Sequence, residues 1–249
     1  MNARFHAPDA VFGRVVALPE DEAQHLTRVL RLKEGATIRV FDGRGHEFDA
    51  VVERAGKGGV TVAVGAARAP GANEPRVAVT LAPAVLKGDK MDDVVRDAVM
   101  MGVAAIQPIV TSRTEVSMAT LLRSSRLARW RRIAVSSAKQ CGRATLPAIL
   151  EPRAFDTIPA ALADLTLPDP GLMLVEPATS ADIVTLSDLE GAIPREATIL
   201  IGPEGGWTEE EIQRGGAACR LITLRGTTIR ADAMPIVALA ALMALWKEL

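Results

Sequence analysis

The sequence has few aromatic residues and almost no cysteine. Tyrosine is absent, and aromatic residues account for 3% of the 249 positions. Ladders of aromatic rings stacked on bases are therefore excluded as the main way of binding nucleic acid. The two cysteines, Cys141 and Cys219, form no CxxC pair. A disulfide scaffold or a zinc module needs more thiols at closer spacing, so the sequence favours a reducing, cytoplasmic location.

An excess of charge of one sign is also missing. The 29 Lys and Arg residues balance 30 Asp and Glu residues, which leaves a net charge of −1. This excludes the strongly basic composition of a histone-like nucleic-acid binder. The first ten residues lack the apolar run of a secretory signal. The uncharged stretch 233–246 is shorter than the roughly 20 residues that span a bilayer, so we expect no membrane association.

Familiar hydrolytic and metal-binding motifs are missing as well. His6, His25 and His46 are too widely spaced for a zinc site, and no GxSxG nucleophile motif occurs. We therefore expect no metal. A reaction in which a cofactor brings its own activated group fits a chain with so few catalytic side chains.

The first seventy residues are predicted to form a small β-barrel. Short strand-like segments separated by Gly-rich turns occur at 11–18, 37–42, 47–53 and 60–64. One helix is predicted from Asp21 to Leu32, with Gly35 as its stop. Its expected buried face consists of Ala23, Leu26, Val29 and Leu30.

The remainder of the chain is predicted to be an α/β domain. Residues 66–75 are rich in Ala, Gly and Pro, and we place the boundary there, giving domains 1–70 and 71–249. Short apolar runs then alternate with helix-length segments. Strands that are apolar on both faces indicate a parallel sheet covered by helices on each side. These runs lie at 77–82, 104–110, 172–176, 197–201 and 220–224.

A glycine-rich turn follows the fourth of these strands, in the sequence IGPEGGWTEEE at 201–211. Thr208 and Glu211 form a capping box, which predicts that a helix begins there. The Walker lysine is missing, the spacing is not GxGxxG, and three glutamates would repel phosphate. The turn either has a purely structural role or brings backbone groups close to a ligand in surroundings that tolerate a cation.

A second loop, at 224–235, follows the last predicted strand. Asp232 is expected to cap the final helix, with Pro235 in its first turn. Arg230 is either a solvated side chain or part of a ligand site. Two loops that follow parallel strands share the ligand-binding edge of an open sheet, which favours the second interpretation.

The segment 123–143 contains seven basic residues and no acidic one. Such a run is either an ordinary solvated helix face or a surface that binds RNA phosphates.

The sequence resembles a known family, the uridine-N3 methyltransferases of small-subunit ribosomal RNA, which are RsmE-like members of the SPOUT superfamily. The similarity extends over nearly the whole chain in the expected order. It is carried by Arg4-Phe5, HLTRVLR at 25–31, KGDKM at 87–91, Gln140 with Arg143, GPEGG at 202–206 and Ile229-Arg230.

The resemblance implies a PUA-like β-barrel followed by a SPOUT domain with a trefoil knot, a homodimer, and S-adenosylmethionine as cofactor without a metal. The cofactor would be bound by Ile201, Gly202, Pro203, Glu204, Gly205, Gly206, Leu224 and Ile229. Arg230 is the candidate catalytic residue, expected to stabilise negative charge on the uracil oxygens. Ribosomal RNA, free or in the assembled subunit, would be contacted by Arg4, Arg28, Arg31 and Arg143.

Two alternatives remain open at this point. The chain could be another SPOUT enzyme that methylates a ribose 2′-oxygen, or a non-catalytic RNA-binding or assembly factor with the same fold. The last helix adds an argument for a homodimer, because the stretch 233–246 is apolar on every face and therefore needs a second protein surface. Ile236, Leu239, Met243 and Trp246 are expected to share one face.

Overall fold

The computed structural model describes residues 3–56, 58–164, 166–176, 183–191, 193–224 and 228–249. The chain divides into one unit of Met1–Glu74 with Val135–Leu146 and a second unit of Pro75–Ala134 with Pro147–Leu249. The domain boundary at residue 70 stays a prediction. The sequence did not indicate that the segment 135–146 groups with the first unit.

The first unit contains a five-stranded sheet of order β1-β3-β4-β5-β2, in which β1 is parallel to β3 and the other pairs are antiparallel. Its core is apolar and includes Phe5, Leu26, Ile38 and Val62. The elements are β1 (Arg4–His6), β2 (Val15–Ala17), α1 (Glu20–Gln24), a π-helical turn (His25–Val29), β3 (Thr37–Phe41), β4 (Glu47–Gly56) and β5 (Gly59–Arg68).

The helix predicted over 21–32 differs from the observed one. Ala23 and Leu26 are buried as expected, but Val29 and Leu30 are 66% and 41% exposed. The reason is the π-helical turn, in which Leu30 N–H bonds to His25 O and each turn holds an extra residue, so the later side chains rotate away from the core. The helical segment ends at Val29, short of the predicted Leu32, and the left-handed residue that follows it is Arg31, with a φ of 53°, before Gly35 is reached.

The second unit contains a seven-stranded, wholly parallel sheet of order β12-β14-β11-β13-β6-β7-β9. Its strands are β6 (Ala78–Pro83), β7 (Ala105–Ile106), β9 (Ala148–Ile149), β11 (Gly171–Leu174), β12 (Val184–Thr185), β13 (Glu196–Ile201) and β14 (Arg220–Thr223), and β8 (Ile109–Val110) pairs with β10 (Arg153–Ala154). Its helices are α2 (Lys90–Met100), α3 (Met118–Arg123), α5 (Ile158–Ala163), α6 (Glu209–Gly216) and α7 (Met234–Leu245). Helix α4 (Arg126–Cys141) has residues in both units, because the division falls between Ala134 and Val135.

The parallel α/β architecture predicted from the apolar runs is confirmed. Successive residues of β6, β11 and β13 are buried, so both faces of the sheet are covered. The run 104–110 forms two short strands and not one, because Pro108 has no N–H with which to continue the ladder. The trefoil knot stays a prediction.

Of the four residues predicted to share one face of the last helix, Leu239, Met243 and Trp246 are buried, together with Leu242. Ile236 is only partly buried, and the outward-facing side chains remain apolar, with Val237 and Ala244 exposed. Among the described residues, no helix has the length and apolar character needed to span a bilayer.

Candidate cofactor site

A cavity of about 560 Å³ opens at the carboxyl edge of the parallel sheet, where β11, β13 and β14 end. All nine residues predicted for the cofactor and for catalysis line it, although they come from two separate loops. They are Ile201, Gly202, Pro203, Glu204, Gly205, Gly206, Leu224, Ile229 and Arg230. Residues 225–227 of the second loop lie outside the described residues.

The glycine-rich loop needs glycine at two positions. A Cβ on Gly202 would come within 3.0 Å of the Trp207 indole ring, which lies beneath the loop and donates through Nε1 to Leu174 O at 2.8 Å. Gly206 has a left-handed φ of 69°, which residues other than glycine rarely adopt. The loop is therefore held close to the end of β11, with its backbone lining the cavity.

The predicted capping box at the start of α6 is confirmed. Thr208 Oγ1 accepts from Glu211 N–H, and Glu211 Oε2 accepts from Thr208 N–H at 2.9 Å. The other carboxylate oxygen of Glu211 accepts from Ser112 N–H at 2.7 Å, and this side chain is only 3% exposed. One buried carboxylate thus connects the glycine-rich loop to the segment after β8.

Arg113 also holds this loop, although nothing in the sequence pointed to it. Its Nη1 donates to Gly205 O at 2.7 Å and to Trp207 O at 3.1 Å. The residue lies in an irregular segment, far from the loop in sequence, and belongs to no motif. Only the fold brings it to the cavity.

The acidic surroundings expected around the cavity are partly neutralised. Glu204 accepts from Lys90 Nζ at 2.9 Å and from Lys87 N–H at 3.3 Å. Burial alone would raise the pKa of Glu204, but these hydrogen bonds outweigh it and hold the pKa below its usual value. Glu204 therefore remains a carboxylate that ties the loop to the start of α2.

Arg230 is held by Asp232 in a two-pronged ion pair, with Nε to Oδ1 at 3.0 Å and Nη2 to Oδ2 at 2.9 Å. The hydrogen bond from Arg230 lowers the pKa of Asp232. The expectation that Asp232 caps the last helix is therefore wrong. The N-cap is Ala233, without a side-chain bond, because the carboxylate binds the guanidinium instead. Pro235 occupies the first turn as predicted.

The cavity combines apolar walls with a buried hydroxyl. Leu174, Val175, Trp207 and Ile212 supply apolar surface. Thr223 is 8% exposed, and its hydroxyl finds no hydrogen-bond partner among the described residues. A cavity that offers both apolar and polar surface suits a nucleoside-containing cofactor. Across the part of the chain that the structure describes, no group of three or more His, Cys, Asp or Glu residues could hold a metal ion.

Two of the arginines predicted to contact RNA are bound within the first unit. Arg4 bonds to both carboxylate oxygens of Glu47 and to four carbonyl groups at the end of α4, and its side chain is 12% exposed. Arg143 is 4% exposed and pairs with Glu74 at 2.6 Å. Both side chains thus have protein partners, and their contact with RNA stays a prediction.

Arg28 and Arg31 are exposed and line a groove of about 1310 Å³ on the first unit. Lys33 and Arg54 add two further cations to the same groove, against the carboxylates of Glu20 and Glu34. The groove therefore carries a local excess of positive charge, although the whole chain is close to neutral.

The basic run 123–143 is largely compensated by acidic residues from elsewhere in the chain. Within the described residues, Arg123, Arg126 and Arg132 form no ion pair. The other four do: Arg129 with Asp92, Arg131 with Glu151, Lys139 with Glu22, and Arg143 with Glu74. The uncompensated surface suggested by the local sequence is thus much smaller than expected.

Comparison with known proteins identifies the class of protein to which this chain belongs. A family model described as an RNA methyltransferase domain matches residues 73–243, and one described as an RNA methyltransferase PUA domain matches residues 18–65. The parallel sheet with its cavity and these matches define an RNA methyltransferase with an N-terminal PUA domain.

Individual relatives identify the family. The ribosomal RNA small subunit methyltransferase E of Synechocystis sp. is 30% identical, over 96% of this chain and 76% of the relative. A crystal structure of the same enzyme from Neisseria gonorrhoeae, bound to S-adenosylmethionine, is 30% identical with a TM-score of 0.84 over 99% of this chain and 98% of the other. An S-adenosylmethionine complex of a putative methyltransferase from Legionella pneumophila has 27% identity and a TM-score of 0.86, over 98% of both chains. The chain belongs to the ribosomal RNA small subunit methyltransferase E family, as the sequence resemblance indicated.

Proposed function

We propose that this protein transfers a methyl group from S-adenosylmethionine to N3 of a uridine in 16S ribosomal RNA. The observation that carries the proposal is the convergence of the nine predicted site residues on one cavity at the sheet edge. Membership of the family, and a relative from Neisseria gonorrhoeae that binds S-adenosylmethionine, support the same conclusion.

The cavity fits the cofactor in size and chemistry. Its backbone-lined loop at 202–206 and its apolar side chains suit an adenosine, and its charged residues suit the charged ends of a methionine. S-adenosylmethionine supplies a methyl group that is already activated by the sulfonium, so the protein mainly binds and aligns the reactants.

In this proposal, Arg230 acts on the RNA base. Its side chain is 75% exposed at the cavity and is oriented by Asp232. Loss of the N3 proton spreads negative charge onto the uracil oxygens, and a guanidinium held in advance would stabilise that charge without reorganising. Asp232 is a positioning residue in this scheme.

RNA binding is assigned to the first unit. Arg28 and Arg31 contribute cations to its groove, which suits a phosphate backbone. The PUA match over residues 18–65 covers both arginines. The substrate is ribosomal RNA, free or in the assembled small subunit, and the protein acts in the cytoplasm.

A homodimer completes the proposal. The outward face of α7 exposes Val237 and Ala244 and carries no charged residue between Met234 and Leu245. A second copy of the chain would cover this face. Sedimentation at micromolar concentration tests it, because a 26.4 kDa species would contradict the dimer.

The reaction is tested by mass spectrometry of nucleosides. The protein is incubated with S-adenosylmethionine and small subunits from a strain that lacks the enzyme, and the RNA is digested. We expect a methylated uridine that keeps its methyl group on the base after cleavage from ribose. A methyl group on the ribose would instead support the 2′-oxygen alternative, and no methylation despite cofactor binding would support a non-catalytic factor.

A further inference from the structure

Thr223, the last residue of β14, is the buried polar group at the cavity that the site described above leaves unexplained. Its side chain is 8% exposed, and its hydroxyl has no hydrogen-bond partner among the described residues. A buried hydroxyl without a partner is unfavourable, and native structures rarely retain one without a reason.

Two other buried threonine hydroxyls of this unit are paired. Thr198, in the middle of β13, is fully buried and donates to Pro168 O at 2.7 Å. Thr111 is 7% exposed, and its hydroxyl bonds to that of Thr114 at 3.0 Å. In both places the fold supplies a partner for the enclosed hydroxyl, whereas the Thr223 hydroxyl has none among the described residues and lines the cavity.

The position of Thr223 on its strand explains which part of the cavity it reaches. Side chains alternate along a strand, so Thr223 lies on the same face as Leu221. Leu221 belongs to the apolar core that contains Trp207 and Val175. Two residues further along, at the carboxyl edge, that face opens into the cavity beside the same two side chains and Ile212.

The lining thus combines buried, mostly apolar residues with exposed charged ones. Trp207, Val175 and Thr223 are buried, whereas Arg113, Glu204 and Arg230 are exposed. A flat aromatic ring suits the buried surface, and the ammonium and carboxylate groups of an amino acid suit the exposed charges. The edge of adenine offers both donors and acceptors, either of which a hydroxyl can match.

We infer that the Thr223 hydroxyl hydrogen-bonds the adenine ring of S-adenosylmethionine. The inference rests on the proposed function, because it assigns one contact within the proposed cofactor site. Thr223 would bind the part of the cofactor that does not react, and would contribute equally to binding of substrate and product.

The test compares Thr223→Val, Thr223→Ser and the unaltered protein by titration calorimetry. The ligands are S-adenosylmethionine, S-adenosylhomocysteine and 5′-methylthioadenosine, which keeps the adenine but lacks the amino acid. We expect Thr223→Val to weaken all three by a similar factor, roughly fivefold, as for the loss of one hydrogen bond. Thr223→Ser keeps a hydroxyl and should restore most of the affinity.

Thr198→Val is the matched control. It removes a hydroxyl that has a protein partner, so it should lower the unfolding temperature and leave the affinities unchanged. Thr223→Val should instead weaken ligand binding. It should leave the unfolding temperature of the ligand-free protein unchanged or raised, because the hydroxyl that it removes has no protein partner among the described residues.

Three results would overturn the inference in distinguishable ways. If Thr223→Val bound S-adenosylmethionine as tightly as the unaltered protein, the inferred hydrogen bond would be wrong and the proposed function would stand. A loss of affinity confined to S-adenosylmethionine and S-adenosylhomocysteine, the two ligands that carry the amino acid, would show that Thr223 does not contact adenine. No binding of S-adenosylmethionine by the unaltered protein would overturn the proposed function itself.

Discussion

Two ion pairs, one in each unit, differ sharply in burial. In the first unit, Arg4 pairs with Glu47 in the interior, where the side chains are 12% and 1% exposed. In the second unit, the charges at the cavity are solvent-facing, as in Arg230 with Asp232, where the side chains are 75% and 27% exposed. Both pairs have good geometry, so geometry alone does not reveal their roles.

Burial separates a structural charge from a functional one. Removing one partner of a buried pair leaves an uncompensated charge in the interior, which costs much more than the pair itself contributes. An exposed pair adds little to stability because water and salt screen it. Its guanidinium therefore remains available to a ligand. Substitution of Arg4 should accordingly lower the free energy of unfolding, whereas substitution of Arg230 should lower the rate of methyl transfer.

The largest expected effect on stability is that of Arg4→Met. Methionine approximates the length of arginine but leaves the Glu47 carboxylate buried and the carbonyl groups at the end of α4 without their donor. We expect the free energy of unfolding to fall by about 3 kcal/mol or more in urea titrations. Arg68→Met is the control, because its pair with Asp49 is exposed and should contribute less than about 1 kcal/mol. Equal stabilities of the two variants would contradict the comparison.

In the second unit, the corresponding change is Arg230→Ala. We expect methyl transfer to fall by about 100-fold or more, as for the loss of a donor that stabilises developing charge. The unfolding midpoint should not change, because the pair with Asp232 is exposed. Arg214→Ala serves as the control, because Arg214 is an exposed arginine of the same unit that pairs with Asp156. A drop in stability with normal turnover would make Arg230 a structural residue like Arg4.

Features encoded by adjacent residues could be predicted from the sequence. Apolar runs placed the parallel strands, and the capping box of Thr208 with Glu211 placed the start of α6. The location of the candidate site could also be predicted from the sequence, because loops that follow parallel strands meet at one edge of the sheet. The resemblance added the identity of the ligand, which no local pattern of this chain specifies.

Features that depend on distant partners could not be predicted. Arg4 meets Glu47 across 43 residues and Arg143 meets Glu74 across 69, so both looked like surface cations in the sequence. Arg113 reaches the glycine-rich loop across 92 residues. The prediction that Asp232 caps the last helix was wrong for a different reason. Its carboxylate binds the guanidinium of a residue close in sequence, Arg230, instead of the backbone at the start of the helix.

Changing Arg28 and Arg31 together to Ala should weaken RNA binding without unfolding the protein. Each phosphate that the protein no longer neutralises lowers the slope of log affinity against log salt by about one unit, so we expect a decrease of about two. Alanine at 31 keeps the left-handed backbone, so its strain is unchanged. Arg14, exposed on the same unit but outside the groove, gives the control variant Arg14→Ala. An unchanged slope in the double variant would exclude the groove as the RNA-binding surface.

The smallest effect concerns two aspartates whose pKa values are both lowered, Asp42 in the first unit and Asp232 in the second. Burial tends to raise the pKa of Asp42, but bonds from the Arg44 and His46 N–H groups, at 2.7 and 3.1 Å, and from the His46 ring outweigh it. A native pKa below the unfolded one means that the unfolded chain binds the proton more readily. Asp42 therefore stabilises the fold above its usual value of 3.8, and this contribution is lost as the pH falls through the native pKa.

Asp42→Asn should consequently reduce the difference in unfolding free energy between pH 6 and pH 3. Asp232→Asn should leave that difference almost unchanged, because Asp232 lies at the surface, where its pair is screened. Its effect should appear in methyl transfer, since Arg230 loses the carboxylate that orients it. The measurements are urea titrations at the two pH values and turnover at neutral pH. If Asp232→Asn flattened the acid dependence of stability as much as Asp42→Asn, exposure would not separate the structural carboxylate from the functional one.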